Sequence, residues 1–275
     1  MLSKYSTFTT TIFRLGAWVF ICIFGMPFTA IGADDSPPLT TDRPSQSDAS
    51  TLVPPGYLQS EIGYTYTRDD TAGTTTKGHS TPNLLLRYGL LEALEIRFGW
   101  NGYFWNNPNP GAVQEGSGDG QVSAKLYLWQ ESGWLPETTL LAGTTLPFGK
   151  NAFSSGRSDP FFRFLMTHSL PDGFSVASNL GVIWTTQTGG ITGKDTAADF
   201  TYTALLGYTL TPEVDTYVEF FGSFPLEEQD DRHGFDAGIA WRVLPTVQLD
   251  LFGGVGLNDA AVDVFISAGL SFRLP

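Results

Sequence analysis

Apolar and polar positions alternate along most of this chain after residue 56. Leu58, Ser60, Ile62, Tyr64 and Tyr66 fall on one side of an extended backbone, and Gln59, Glu61, Gly63, Thr65 and Thr67 on the other, because successive side chains of a strand face opposite ways. The alternation recurs to the C-terminus and predicts twelve strands, near 57–67, 80–90, 93–103, 119–130, 137–147, 158–170, 173–186, 198–210, 213–223, 233–244, 247–257 and 261–273. At roughly 11–13 residues each they slightly exceed the 9–11 that cross a bilayer when tilted. The connections at 91–92, 131–136, 171–172, 211–212 and 245–246 are short, and those between them are longer and rich in Gly, Asp, Asn and Ser. An even strand count with short turns on one side and long loops on the other predicts a closed antiparallel transmembrane β-barrel, with the short side and both termini in the periplasm.

The register assigns the faces. Leu84, Ile96, Phe98, Val122, Leu180, Leu206, Val218, Ile239, Leu251 and Ile266 are among the positions expected to meet lipid, with aromatic rings such as Trp100, Trp184, Tyr208 and Trp241 near the strand ends, where amphipathic rings settle at headgroup level. The opposite faces carry Glu61, Arg87, Glu95, Arg97, Lys125, Arg163, Asp215, Glu219, Asp236, Arg242, Asp250, Asp263 and Arg273. A β-sandwich is the competing fold, but in its dry core so many isolated charges would each cost several kcal/mol. These thirteen are therefore expected to line the lumen or pore of a barrel.

Before the strands lie two segments of different character. Lys4, Arg14 and the apolar run 15–24 read as a secretory signal ending near Ala33, which gives domains at 1–33 (signal peptide), 34–56 (polar, Pro/Ser-rich periplasmic segment) and 57–275 (barrel). The single cysteine, Cys22, would leave with the signal, so disulfides are not expected to hold the fold. Residues 34–56 have neither helical nor strand period. They are read either as a disordered lead-in or as a plug that tucks into the barrel mouth, with Asp42 and Arg43 pairing to lumen charges.

Particular words within the chain carry a resemblance. TDRP at 41–44, VPPG at 53–56, GDGQVSAKLYL at 118–128, TTLPFGK at 144–150, QLDLFGGVGLN at 248–258 and DVFISAGLSFRL at 263–274 together resemble the MetA-pathway phenol-degradation family over most of residues 40–274. The resemblance implies an outer-membrane β-barrel of Gram-negative bacteria and points to aromatic solutes such as phenol.

Composition agrees with a barrel. The charged fraction is 16%, against roughly 25% in ordinary soluble domains. Loss of residues 1–33 removes Lys4 and Arg14 and takes the net charge from −13 to −15, which argues against nucleic acid as a partner. The expected partners are outer-membrane lipid, lipopolysaccharide, the barrel-assembly machinery and a small-molecule solute.

Signals for chemistry are sparse. The histidines are His79, His168 and His233; His168 and Ser169 are adjacent, so they point to opposite faces and do not form a nucleophile–base pair. No metal spacing and no cofactor motif is read. The acidic run 227–231 lacks the spacing of a dedicated calcium loop. The expectation is a non-enzymatic, porin-like barrel that admits small molecules passively, alternative: a non-conducting structural or adhesive barrel. The long loops hold Asp69, Asp70, Glu115, Asp195, Glu227, Glu228, Asp230 and Asp231, and this acidic mouth predicts a mild preference for cations. Asp250→Arg, on the lumen side, is expected to be tolerated far better than Leu251→Arg, on the lipid side.

Overall fold

The computed structural model describes residues 37–187, 195–227 and 229–275. The expected signal peptide, its cleavage near Ala33, Cys22 and Glu228 lie outside them. The strands are β1 (Leu58–Thr71), β2 (Thr74–Leu91), β3 (Leu94–Trp100), β4 (Tyr103–Asn109), β5 (Gln114–Ser117), β6 (Gly120–Trp129), β7 (Glu137–Leu146), β8 (Pro160–Ser169), β9 (Phe174–Gln187), β10 (Asp195–Thr211), β11 (Val214–Pro225), β12 (Arg232–Leu244), β13 (Val247–Gly256) and β14 (Val264–Leu274).

Each strand pairs antiparallel with its neighbours, and β1 pairs with both β2 and β14, so the sheet closes. Fourteen strands make twelve staves, because β3 with β4, and β5 with β6, each form one interrupted stave. The interruption has a local cause. Pro82 has no N–H to give the ladder, and β2 changes partner there, pairing with β4 through Thr81 and with β3 from Leu84. Opposite, Gly102 takes φ +83°, and a Cβ there would lie 2.5 Å from the Pro82 carbonyl oxygen. Only glycine fits a left-handed backbone so close to another chain segment.

The faces are inverted relative to a soluble protein. Leu251 is 49% exposed while its neighbour Asp250 is 7%, and Glu61 is 1%. Ile96, Phe98, Val122, Leu126, Leu206, Val218, Ile239 and Ile266 are likewise exposed on the outside. This is the arrangement a lipid solvent favours: apolar side chains meet the bilayer, and a closed ladder pairs the backbone polar groups of neighbouring staves. Inside, Leu141, Phe161 and Leu165 form a small apolar cluster, with Ile183 against it.

One expected loop is mostly strand. Residues 68–79 continue the β1–β2 ladder as far as Thr71↔Thr74, leaving a two-residue turn of Ala72 (φ +50°) and Gly73 (φ +79°). Positive φ at both central positions gives the turn that matches strand twist. Thr74, Thr75 and Thr76 are β-branched, and that local preference extends the hairpin beyond the apolar band.

Candidate functional site

The barrel is filled by its own N-terminal segment. Leu39, Asp42, Ser47, Ser50 and Val53 are all buried, although Pro38–Pro54 contains no helix or strand. Irregular backbone inside a barrel still carries obligatory donors and acceptors, and here side chains of the wall take the place of a ladder. The Glu61 carboxylate accepts the N–H groups of Asp42 and Arg43 at 3.0–3.1 Å. Glu219 accepts that of Gln46 at 2.7 Å, and Glu95 that of Val53 at 2.8 Å. The segment's carbonyls are met by donors: Thr40 by Gln59, Pro44 by Tyr217, Asp48 by Asn179, Ala49 by Lys125, Ser50 by Thr139 and Thr51 by Arg87.

Two charged anchors fix the segment laterally. Asp42 lies among Lys125 Nζ at 2.8 Å, Arg87 Nη1 at 3.3 Å and Arg97 Nη2, and also accepts the N–H of Ala49. Burial pushes the Asp42 carboxyl up, but Arg87, Lys125 and Arg97 together outweigh it and hold the group well below the usual carboxylate range. The stabilisation it gives to docking is thus fully present above the ordinary carboxylate pKa, and is lost progressively as pH falls from there through the lowered value. Asp48 ties Arg97 (2.9 Å) and Arg163 (3.0 Å) to the same network.

The second anchor is Arg43, whose guanidinium meets Asp250 at 2.9 Å and donates to Ser267. It lies across Gly63 and Gly269, which face each other in the β1–β14 register. A Cβ would come within 2.3 Å of the guanidinium at Gly63 and 2.2 Å at Gly269. Glycine at both positions leaves a slot for the side chain. Gly89 serves the backbone in the same way, since a Cβ there would strike the Val53 and Pro54 carbonyl oxygens.

Of the thirteen charged residues expected inside, nine are buried: Glu61, Arg87, Glu95, Arg97, Lys125, Glu219, Asp236, Asp250 and Arg273. Glu95 and Glu61 both pair with Arg87, and Asp236 stands opposite Glu219 in the β11–β12 ladder. Four lie elsewhere. Arg163 is 29% exposed beside Asp48. Asp215 and Arg242 form a 2.6 Å pair at the short-turn end. Asp263 precedes β14 in a loop and accepts the N–H of Asp70, so it belongs to the mouth and not to mid-strand. Sequence reasoning passed over Gln59, Thr139, Asn179, Tyr217 and Gln248, neutral residues that hold the segment; their signal was their inward register. His168 meets Glu131 at 3.1 Å. Ser169 donates its backbone N–H to Glu131.

The family model described as "Putative MetA-pathway of phenol degradation" matches residues 41–274. The chain belongs to that family. The matched span begins at Thr41, so the family's pattern takes in the lumen segment as well as the staves. Among solved structures, an outer membrane channel from Pseudomonas putida F1 is similar over 81% of this chain and 97% of that one, at 14% identity and TM-score 0.61. The NanC porin is similar over 79% and 100%, at 11% identity and TM-score 0.51. The translocator domain of the autotransporter NalP from Neisseria meningitidis is similar over 79% and 88%, at 10% identity and TM-score 0.51. The likeness to these three is one of fold, that of an outer-membrane β-barrel. No curated protein matches the sequence.

Proposed function

We propose that this family member is an outer-membrane barrel that admits small molecules passively through a lumen narrowed by its own N-terminal segment. The carrying observation is the pair of cavities, about 190 Å³ and about 300 Å³, that remain between the segment and the wall. Twelve staves lie between the eight whose side chains fill a barrel and the sixteen that enclose a wide channel. The family description names phenol degradation, and either cavity has room for a single aromatic ring or a small polar solute. On this reading residues 1–33 are a cleaved signal. The outer face meets lipid and lipopolysaccharide, and insertion falls to the barrel-assembly machinery.

Conductance of the purified protein in planar bilayers tests the proposal. Discrete steps are expected, with mild cation preference at low salt, because the exposed mouth holds Asp69, Asp70, Glu227, Asp230 and Asp231. The preference should fade toward high salt, which screens charge over about 10 Å at 0.1 M. Anion preference would show that lumen cations govern passage. The density of bonds on the segment favours the second reading, a sealed structural or adhesive barrel. Absence of conductance even after removal of residues 34–55 would decide for it.

Sidedness is tested separately. A protease-sensitive tag at Gly111, in the turn between β4 and β5, is expected to be cut on intact cells. A tag between Pro171 and Asp172, in the β8–β9 turn, is expected to survive. The opposite pattern would invert the barrel.

A further inference from the structure

The two cavities are stacked along one wall. On β10, inward positions Thr201 and Thr203 line the smaller, while Leu205, Gly207 and Thr209 line the larger. On β9 the division falls between Asn179 and Ala177, and on β8 between Arg163 and Thr167. A thin layer separates them. In it Ser47 Oγ lies 2.5 Å from Thr203 Oγ1 and donates to Glu219 Oε1 at 2.5 Å.

We propose that solutes pass along the β8–β11 wall, and that the Ser47–Thr203 hydroxyl contact is the constriction that sets which solutes cross. This rests on the channel reading above and names the solute class: small, uncharged and hydrogen-bonding. The opposite wall offers no such route, because Arg87, Glu95, Lys125 and Glu61 are buried against the segment. Cations beside the route already have partners: Arg163 with Asp48, Arg43 with Asp250 and Arg242 with Asp215. Many of the other lining residues carry a hydroxyl or amide, set among apolar surface from Leu39, Pro44, Ala177, Leu205, Ala240 and Phe221. A neutral solute can exchange hydrogen bonds with such a surface. A charged one would give up part of its hydration without gaining a counter-ion, and so would cross more slowly.

The test places single cysteines in a chain whose own Cys22 precedes the barrel. Thr203→Cys is compared with Gln121→Cys, an inward position on β6 of the opposite wall. Each purified protein is reconstituted in liposomes and treated with benzyl methanethiosulfonate, with labelling confirmed by mass. Labelling at residue 203 is expected to slow swelling in xylitol severalfold, with recovery on reduction, and labelling at residue 121 to leave it nearly unchanged. Xylitol is expected to enter the unlabelled protein severalfold faster than xylonate, the carboxylate of equal carbon number. Equal block at both positions, no block at either, or a Thr203→Cys thiol that stays unreactive while xylitol enters would overturn the route. Faster entry of xylonate would overturn the solute class. No entry of any solute into liposomes carrying the unlabelled protein would instead sink the channel reading itself, and the route with it.

Discussion

Asp42→Ala is expected to undock the segment at Leu39–Pro55 and raise the conductance of the barrel. Asp42 is the shared counter-ion of Arg87, Arg97 and Lys125, and Arg87 and Lys125 are fully buried. Removing one partner from a buried ionic cluster costs about 3–5 kcal/mol; here Lys125 would stay desolvated without a carboxylate, while Arg87 keeps Glu61 and Glu95 and Arg97 keeps Asp48. The docked state bears that cost alone, because in the undocked state water reaches all three cations. Each 1.4 kcal/mol is a factor of about ten in the equilibrium, so the undocked population should rise by about two orders of magnitude or more. Two readouts separate this from simple misfolding. Protease should now trim the N-terminal segment in detergent while the staves stay intact, and single-channel steps should become larger or longer. Asp42→Asn keeps the size and one acceptor for the Ala49 N–H, and should show a smaller change in the same direction. Wild-type trimming and conductance in Asp42→Ala would mean that the backbone hydrogen bonds hold the segment without the ionic anchor.

The barrel was largely legible because its signal has the shortest possible period. Alternation assigned Leu251 outward and Asp250 inward, and both are so placed. It also located the short turns before β3, β9, β11 and β13. What it could not place were the upper ends of the hairpins. Thr74–His79 alternates weakly between small, polar and charged residues, yet it continues the ladder to Thr71↔Thr74. Backbone pairing needs no apolar face once the strands leave the membrane. Asp263 was assigned inward by the same extrapolation, from a strand that begins only at Val264.

The lumen segment was half legible. Asp42 and Arg43 carry a charge that needs a partner, and Asp42 finds the basic group on β2, β3 and β6 while Arg43 finds Asp250 on β13. The backbone of the segment was not legible, because its bonds run to side chains up to 205 positions away, as from Arg43 to Gln248. No local periodicity encodes such bonds. The clearest overlooked signal was glycine. Gly63, Gly89 and Gly269 stand at inward positions within strands, where a side chain would normally add packing. Each is empty because the segment occupies the space.

The same slot reverses one expectation from the alternation and supplies the second large effect. Leu251→Arg and Asp250→Arg should both be damaging, in different ways. Leu251 lies near the middle of β13 and faces out at 49% exposure. An arginine on the lipid face at the bilayer midplane costs about 2–4 kcal/mol, so Leu251→Arg should lower the urea midpoint of the barrel in lipid vesicles. Its segment should stay docked, because nothing inside has changed. Asp250 would be the tolerant position if the lumen there were open water, but it is 7% exposed and holds Arg43 at 2.9 Å over the paired glycines. Asp250→Arg sets two guanidinium groups in one slot, each without its carboxylate. The staves can keep their ladder, so the urea midpoint should move little. Protease trimming of the segment should instead appear, as in Asp42→Ala. Asp250→Ala, which removes the anchor without adding charge, should trim more slowly than Asp250→Arg. A large midpoint loss in Asp250→Arg with the segment still protected would show that Asp250 supports the wall, and that Arg43 is held by Ser267 and the glycine slot without it. A midpoint that hardly moves in Leu251→Arg together with a large loss in Asp250→Arg would place β13 one residue out of register, since a one-residue slip exchanges its two faces.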